Sequence, residues 1–141
     1  MTKPPVESSV TAVNDNTYRQ LHNVLGKETI QTVVNSFYDQ IQQHPTLGSY
    51  FAGVKDWDEL KARLGHFWWI DLGGKRYRED IYNPHAVHRF LKIPPALIDD
   101  WLVLFSATLS EHLSDENAKA WLIRATKMAE WIRTDLQEHS K

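Results

Sequence analysis

Apolar positions in this chain recur with the period of α-helices. Between about Lys27 and His44 they fall at i, i+3, i+4 and i+7, which predicts one long helix. Its apolar face consists of Ile30, Val33, Val34, Phe37, Tyr38 and Ile41. Pro45 ends this helix, because proline disfavours helical geometry in the residue before it. A shorter helical segment precedes it, capped within residues 14–16 and stopped by Gly26.

Three further helices follow the same logic. Asp56 or Asp58 is placed to cap the next one, and Gly73-Gly74 closes it. Its face is formed by Trp57, Leu60, Leu64, Phe67 and Trp68. A helix after Pro95 presents Leu97, Trp101, Leu104, Phe105 and Leu109. The last helix, capped by Ser114 or Asp115, presents Trp121, Ala125, Met128, Ile132 and Leu136.

These helices define the predicted fold class and domain. Nothing in the chain alternates with the period of a β-strand, so the fold class is all-α. Residues 1–14 carry two prolines and lack periodicity, which predicts a flexible lead-in. The 141 residues are enough for one domain, so residues 15–141 are predicted to fold together.

Composition excludes several function classes. The chain has no cysteine, which rules out disulfides, thiolate metal sites and thiol catalysis. Its net charge of -2 provides no overall basic field for nucleic acid or anionic lipid. The apolar stretch from Trp101 to Phe105 is too short to cross a bilayer, and the N-terminus does not resemble a signal peptide. We therefore expect a soluble, cytoplasmic protein with no nucleic-acid or membrane partner.

Enzyme motifs are also missing, but aromatic residues are abundant. GxSxG, the Walker phosphate loop, GxGxxG and HExxH do not occur. Six Trp, five Tyr and five Phe accompany seven His. Aromatic side chains of this number either fill a core or line a ligand pocket. The composition alone leaves both interpretations open.

Two histidines, His85 and His88, lie three residues apart between Pro84 and Leu91. A zinc site would need at least one more ligand, and cysteine cannot supply it. A single neutral imidazole is sufficient to hold haem iron inside an apolar pocket. The residues themselves also permit an ordinary core or surface role for either histidine.

The order of four fragments narrows these alternatives. FYDQIQQHPTLGSYF, LKARLGHFWW, NPHAVHRFL and WLVLF follow one another between about Phe37 and Met128. In this order the chain resembles the truncated, two-over-two globins, and most closely their third group. The resemblance implies an all-α, globin-like two-over-two sandwich around haem b.

The resemblance also implies roles around the iron. His88 matches the proximal histidine that binds the metal, although the residues leave His85 open as the ligand. Phe51 matches the phenylalanine that packs on the macrocycle. Tyr38 matches the distal tyrosine facing bound ligand, and Trp101 matches the tryptophan along the haem whose N–H also reaches that ligand.

Other positions match the walls of the haem site. Leu64 and Phe67 match apolar wall positions, and Leu64 also borders the distal ligand. Arg63 matches a basic position that reaches a haem propionate, with an ordinary solvated arginine as the alternative. Tyr77, in the stretch between Gly74 and Pro84, is a further candidate propionate contact.

One position departs from the family pattern. Where the third group commonly has a histidine at the distal gate, this chain has Leu60. Leucine neither donates a hydrogen bond nor binds iron, so neither histidine gating nor bis-histidine coordination is expected there. His66, two residues past Leu64, should point elsewhere.

Three functions remain open after this comparison. The leading hypothesis is a haem protein that binds dioxygen, nitric oxide or another small ligand, with conversion of nitric oxide to nitrate as one activity. That activity needs a separate reductase, because the chain has no flavin- or nicotinamide-binding segment. The alternatives are a peroxide-using haem enzyme, which Leu60 disfavours by removing a distal base, and a cofactor-free helical interaction or sensor module.

Overall fold

A computed structural model describes residues 9–10, 12–79 and 93–139 of the chain. Within these ranges every regular element is helical, which confirms the all-α fold class. The fragment NPHAVHRFL, with both His85 and His88, lies outside the described residues.

The first α-helix, α1, covers Leu21–Gln43 and follows a 3-10 helix at Thr17–Gln20. All six predicted face residues of α1 are buried, as its periodicity predicted. The backbone leaves helical geometry at Gly26 (φ 81°, ψ 163°), where the sequence predicts the first segment to stop. The helix ends at Gln43, before His44 and Pro45.

Helix α2 covers Trp57–Asp71 and follows a second 3-10 helix at Leu47–Phe51. Of the two candidate caps, Asp56 fills the role, because its carboxylate accepts the Glu59 N–H at 3.0 Å. After α2 the chain turns at Gly73, which has a positive φ of 110°.

The last two helices are α3, Leu97–His112, and α4, Asp115–His139. Ser114 caps α4, since its hydroxyl accepts the Asn117 N–H at 3.3 Å. The predicted stripe of α4, from Trp121 to Leu136, is buried along its whole length. On α3, Phe105 and Leu109 are buried, whereas Trp101 and Leu104 are half-buried.

The helices pack as two pairs, in agreement with a two-over-two arrangement. Helix α1 packs mainly on α2 and α3 mainly on α4, and α1 also contacts both members of the second pair. Arg124 on α4 donates two hydrogen bonds to Asp71 at the end of α2, at 2.9 and 2.8 Å. These bonds raise the pKa of Arg124, and they tie the two pairs together at a largely buried site.

Packing also extends toward the N-terminus. Val10 is buried in the core, and its N–H donates to the side chain of Asn117 on α4 at 3.0 Å. Contact with the helical domain thus begins before residue 15, where the sequence predicts the domain to start. Among the described helices, none is long and apolar enough to span a membrane.

The break at Gly26 gives a direct test of this backbone. We expect Gly26→Ala to lower the free energy of unfolding by about 1–3 kcal/mol, because an L side chain is strained at this φ and ψ. Gly53→Ala is the matched control: at both glycines a Cβ would meet open space, but only Gly26 has a positive φ. Urea unfolding gives the free energy of unfolding of both variants. Equal values for Gly26→Ala and Gly53→Ala would contradict the inference that an L side chain is strained at residue 26.

Candidate functional site

Tyr38 lies near the end of α1 with its ring inside the structure. It is 6% exposed, and its ring meets Phe51 edge-on at a centroid distance of 6.1 Å. Phe51 is the last residue of the second 3-10 helix and is itself half-buried. The short helix after Pro45 therefore folds back and places Phe51 against the distal candidate Tyr38.

Phe37, the residue before Tyr38, connects this pair to helix α3. Its ring makes edge-on contacts with Tyr38 at 4.9 Å, Trp101 at 5.4 Å and Phe105 at 4.9 Å. Neighbouring residues on a helix point about 100° apart, so Phe37 can face α3 while Tyr38 faces Phe51. One buried ring thus fixes the position of both predicted distal donors, Tyr38 and Trp101.

Trp101 stands at the edge of this cluster. Its ring stacks on Phe105 at 5.0 Å with an interplanar angle of 15°, and the side chain remains half-buried. Phe105 in turn stacks on Trp68 of α2 at 5.7 Å. The cluster runs from the core, where Trp68 and Phe105 are buried, to a partly exposed end at Trp101.

Helix α2 supplies an apolar wall beside these rings. Leu60, Leu64 and Phe67 are spaced by four and three residues, so they lie on one face of the helix. Leu64 is buried, while Leu60 and Phe67 are half-buried. Leu60 presents a hydrocarbon side chain on this face, and it can neither donate a hydrogen bond nor bind a metal.

Trp57, at the start of α2, joins this wall. Its ring lies 5.8 Å from that of Phe51, and the side chain is half-buried. Periodicity predicts Trp57 and Phe37 only as helix-face residues, so neither is predicted to belong to the site. The available signal was position in the sequence: Trp57 follows the Asp56 cap, and Phe37 directly precedes Tyr38.

Two candidate propionate contacts lie on or near α2. Arg63 is half-buried on this helix. Tyr77 is 45% exposed and packs on His66, with ring centroids 4.5 Å apart. Among the described residues, Tyr77 makes no ring contact with Tyr38, Phe51 or Trp101. The roles of Arg63 and Tyr77 toward a haem stay predictions.

His66 contacts the loop after α2. Its Nε2 accepts the backbone N–H groups of Tyr77 at 3.1 Å and Arg78 at 3.3 Å. Burial raises the pKa of the Tyr77 phenol, and the charge of Arg78 partly offsets this. Tyr77 therefore stays protonated at neutral pH.

The chemistry of this region fits a flat, largely apolar group. Several large side chains pack on the core yet remain partly exposed, although burying them would be favourable. These side chains are Phe51, Trp57, Leu60, Phe67, Trp101 and Leu104. The Tyr38 hydroxyl and the Trp101 N–H add two hydrogen-bond donors to them, a combination typical of a cofactor site. Their half-buried state is the observation that a bound planar group would explain.

Comparison with known proteins identifies the family. The profile of the family described as bacterial-like globin matches residues 20–134. The chain belongs to this globin family, and the family implies a haem cofactor and small diatomic ligands.

Two relatives place it further within the family. The group 3 truncated hemoglobin ctb of Campylobacter jejuni is 26% identical over 123 residues, covering 82% of this chain and 94% of the relative. The crystal structure of group III truncated hemoglobin from Campylobacter jejuni superposes with a TM-score of 0.71 at 28% identity, covering 79% of this chain and 91% of that one. These matches confirm the resemblance to group III truncated haemoglobins.

Proposed function

We propose that this chain binds haem b through His88 and takes dioxygen or nitric oxide at the iron, between Tyr38 and Trp101. The observation that carries the proposal is the group of half-buried apolar and aromatic side chains that pack on the core. The two donors, Tyr38 and Trp101, both contact the buried ring of Phe37. A bound haem would supply the iron that takes the diatomic ligand.

The chain's own contribution is the placement of hydrogen-bond donors. Tyr38 is surrounded by rings and almost excluded from water, so a hydrogen bond from its hydroxyl is stronger than one in solvent. Trp101 supplies an indole N–H from α3. A hydrogen bond to an acceptor with negative charge contributes about 1.5–3 kcal/mol, so two donors make release of such a ligand slow.

Slow release favours chemistry or sensing over oxygen delivery. Conversion of nitric oxide to nitrate consumes one nitric oxide, one dioxygen and one electron. Leu60 is half-buried and cannot exchange a proton, so it keeps this side of the site apolar. We infer that the electron comes from a separate reductase.

The iron ligand is tested with paired histidine variants. We expect His88→Ala to lose most of its haem during gel filtration, because the proposed bond between the protein and the iron is removed. His85→Ala, three residues away, is expected to retain haem and an unchanged absorption spectrum. If His85→Ala loses haem and His88→Ala keeps it, the ligand is His85.

The distal donor is tested by ligand release. We expect Tyr38→Phe to accelerate dioxygen dissociation roughly tenfold to a hundredfold, which corresponds to about 1.5–3 kcal/mol. Tyr50→Phe is the control. Tyr50 precedes Phe51 in the second 3-10 helix and has no predicted contact with the ligand. Stopped-flow displacement of dioxygen by carbon monoxide measures both rates. An unchanged rate in Tyr38→Phe would mean that this hydroxyl does not reach the ligand.

A further inference from the structure

The loop after α2 forms a surface patch of cations and aromatic rings, made of Lys27, Trp69, Lys75, Arg76 and Tyr77 and named here the Tyr77 patch. The Lys27 ammonium lies 4.6 Å from the centre of the Tyr77 ring and 5.4 Å from that of Trp69. The Trp69 indole donates to the Lys75 carbonyl at 2.7 Å. Residues distant in sequence thus meet on one face.

Among the residues that the structure describes, the cations of this patch have no acidic partner. No carboxylate of the described residues lies within ion-pair distance of Lys27, Lys75 or Arg76. Arg78, just beyond the patch, pairs with Glu59. Three acidic residues stand next to the patch in sequence: Glu28 and Glu79 are exposed, and Asp80 lies outside the described residues. The patch therefore places three cations on one face of a chain whose net charge is -2.

The patch is also held in shape. The buried His66 accepts the backbone N–H groups of Tyr77 and Arg78, and the Arg76 guanidinium donates to the Arg78 carbonyl at 2.6 Å. Tyr77 nonetheless remains 45% exposed. A fixed, exposed tyrosine among cations is typical of the residues that dominate protein–protein interfaces.

We propose that the Tyr77 patch is the docking surface for an acidic electron-transfer protein. This inference rests on the proposed function, which requires an electron donor. The patch lies only a few residues before the segment 80–92 that carries His88. The step is the transfer of one electron from a reduced iron–sulfur or flavin carrier to ferric iron: the carrier loses one electron, the iron gains one, and no bond forms or breaks.

The charge and the small size of the Tyr77 patch favour an acidic protein over a nucleic acid as its partner. A protein that neutralises many phosphates needs a long basic track, whereas this patch has only three cations without an ion-pair partner among the described residues. Electron-transfer complexes are small and transient, so a compact patch is sufficient. Complementary charge acts chiefly by raising the rate of association.

The experiment uses a reduced plant-type ferredoxin, an acidic two-iron protein, as the electron donor to the haem-loaded ferric chain. The double variant Lys27→Glu with Lys75→Glu reverses two charges in the patch. Lys55→Glu with Lys119→Glu reverses two exposed lysines elsewhere and changes the net charge equally. Stopped-flow absorption gives the second-order reduction rate at several salt concentrations.

We expect the patch variant to be reduced about tenfold more slowly at low salt, with a weaker salt dependence, and the control to stay within about twofold of the wild type. Equal slowing of both variants would overturn the proposal, because it would show a net-charge effect only. No slowing of the patch variant would overturn it as well.

A second readout does not depend on iron chemistry. Oxidised ferredoxin added to ¹⁵N-labelled haem-free protein should shift the indole N–H signal of Trp69 in the wild type and the control, but not in the patch variant. If the chain fails to bind haem, the proposed function fails, while this shift still reports docking. A Trp69 shift caused by anionic vesicles or single-stranded DNA, and not by ferredoxin, would overturn the proposed partner.

Discussion

The edge-on packing of Phe37 between α1 and α3 is the contact on which the site depends. Aromatic pairs of this geometry contribute about 0.5–1.5 kcal/mol each beyond the area that they bury. Phe37 makes three such contacts, and two of them involve the distal candidates Tyr38 and Trp101. Because Phe105 then stacks on Trp68, the same rings join α3 to α2. The helix pairs and the donor geometry are thus set by one cluster.

This cluster is buried at one end and partly exposed at the other. Trp121 and Phe105 are enclosed, whereas Trp101, Phe67 and Phe51 keep part of their surface accessible. An apolar surface of this kind costs free energy unless something covers it. A haem would cover this surface, in agreement with the proposal that Tyr38 and Trp101 face its ligand.

Periodicity was enough to predict the helices, because their burial follows from local spacing. All six predicted positions on α1 and the whole stripe on α4 are buried. Local sequence could not choose between Asp56 and Asp58 as the cap, because both carboxylates stand at the start of the apolar run. The hydrogen bond from the Glu59 N–H to Asp56 decides between them.

Contacts between distant residues escaped prediction for a physical reason. The hydrogen bonds from the loop at Tyr77 to His66, and from Val10 to Asn117, depend on how elements meet and leave no periodic trace. Phe37 was predicted as a core residue, but its position between Tyr38 and Trp101 became visible only in three dimensions. The assignments of His88 and Tyr38 came from the family resemblance, and they remain proposals.

The most direct test is a haemin titration of the haem-free protein. Trp57 lies in the apolar wall and Trp101 lies at the partly exposed end of the aromatic cluster. We therefore predict saturable one-to-one quenching of tryptophan fluorescence, with a matching Soret band and a higher Tm. Haemin that neither quenches the fluorescence to a one-to-one endpoint nor raises the Tm would contradict the claim that this wall is a haem site.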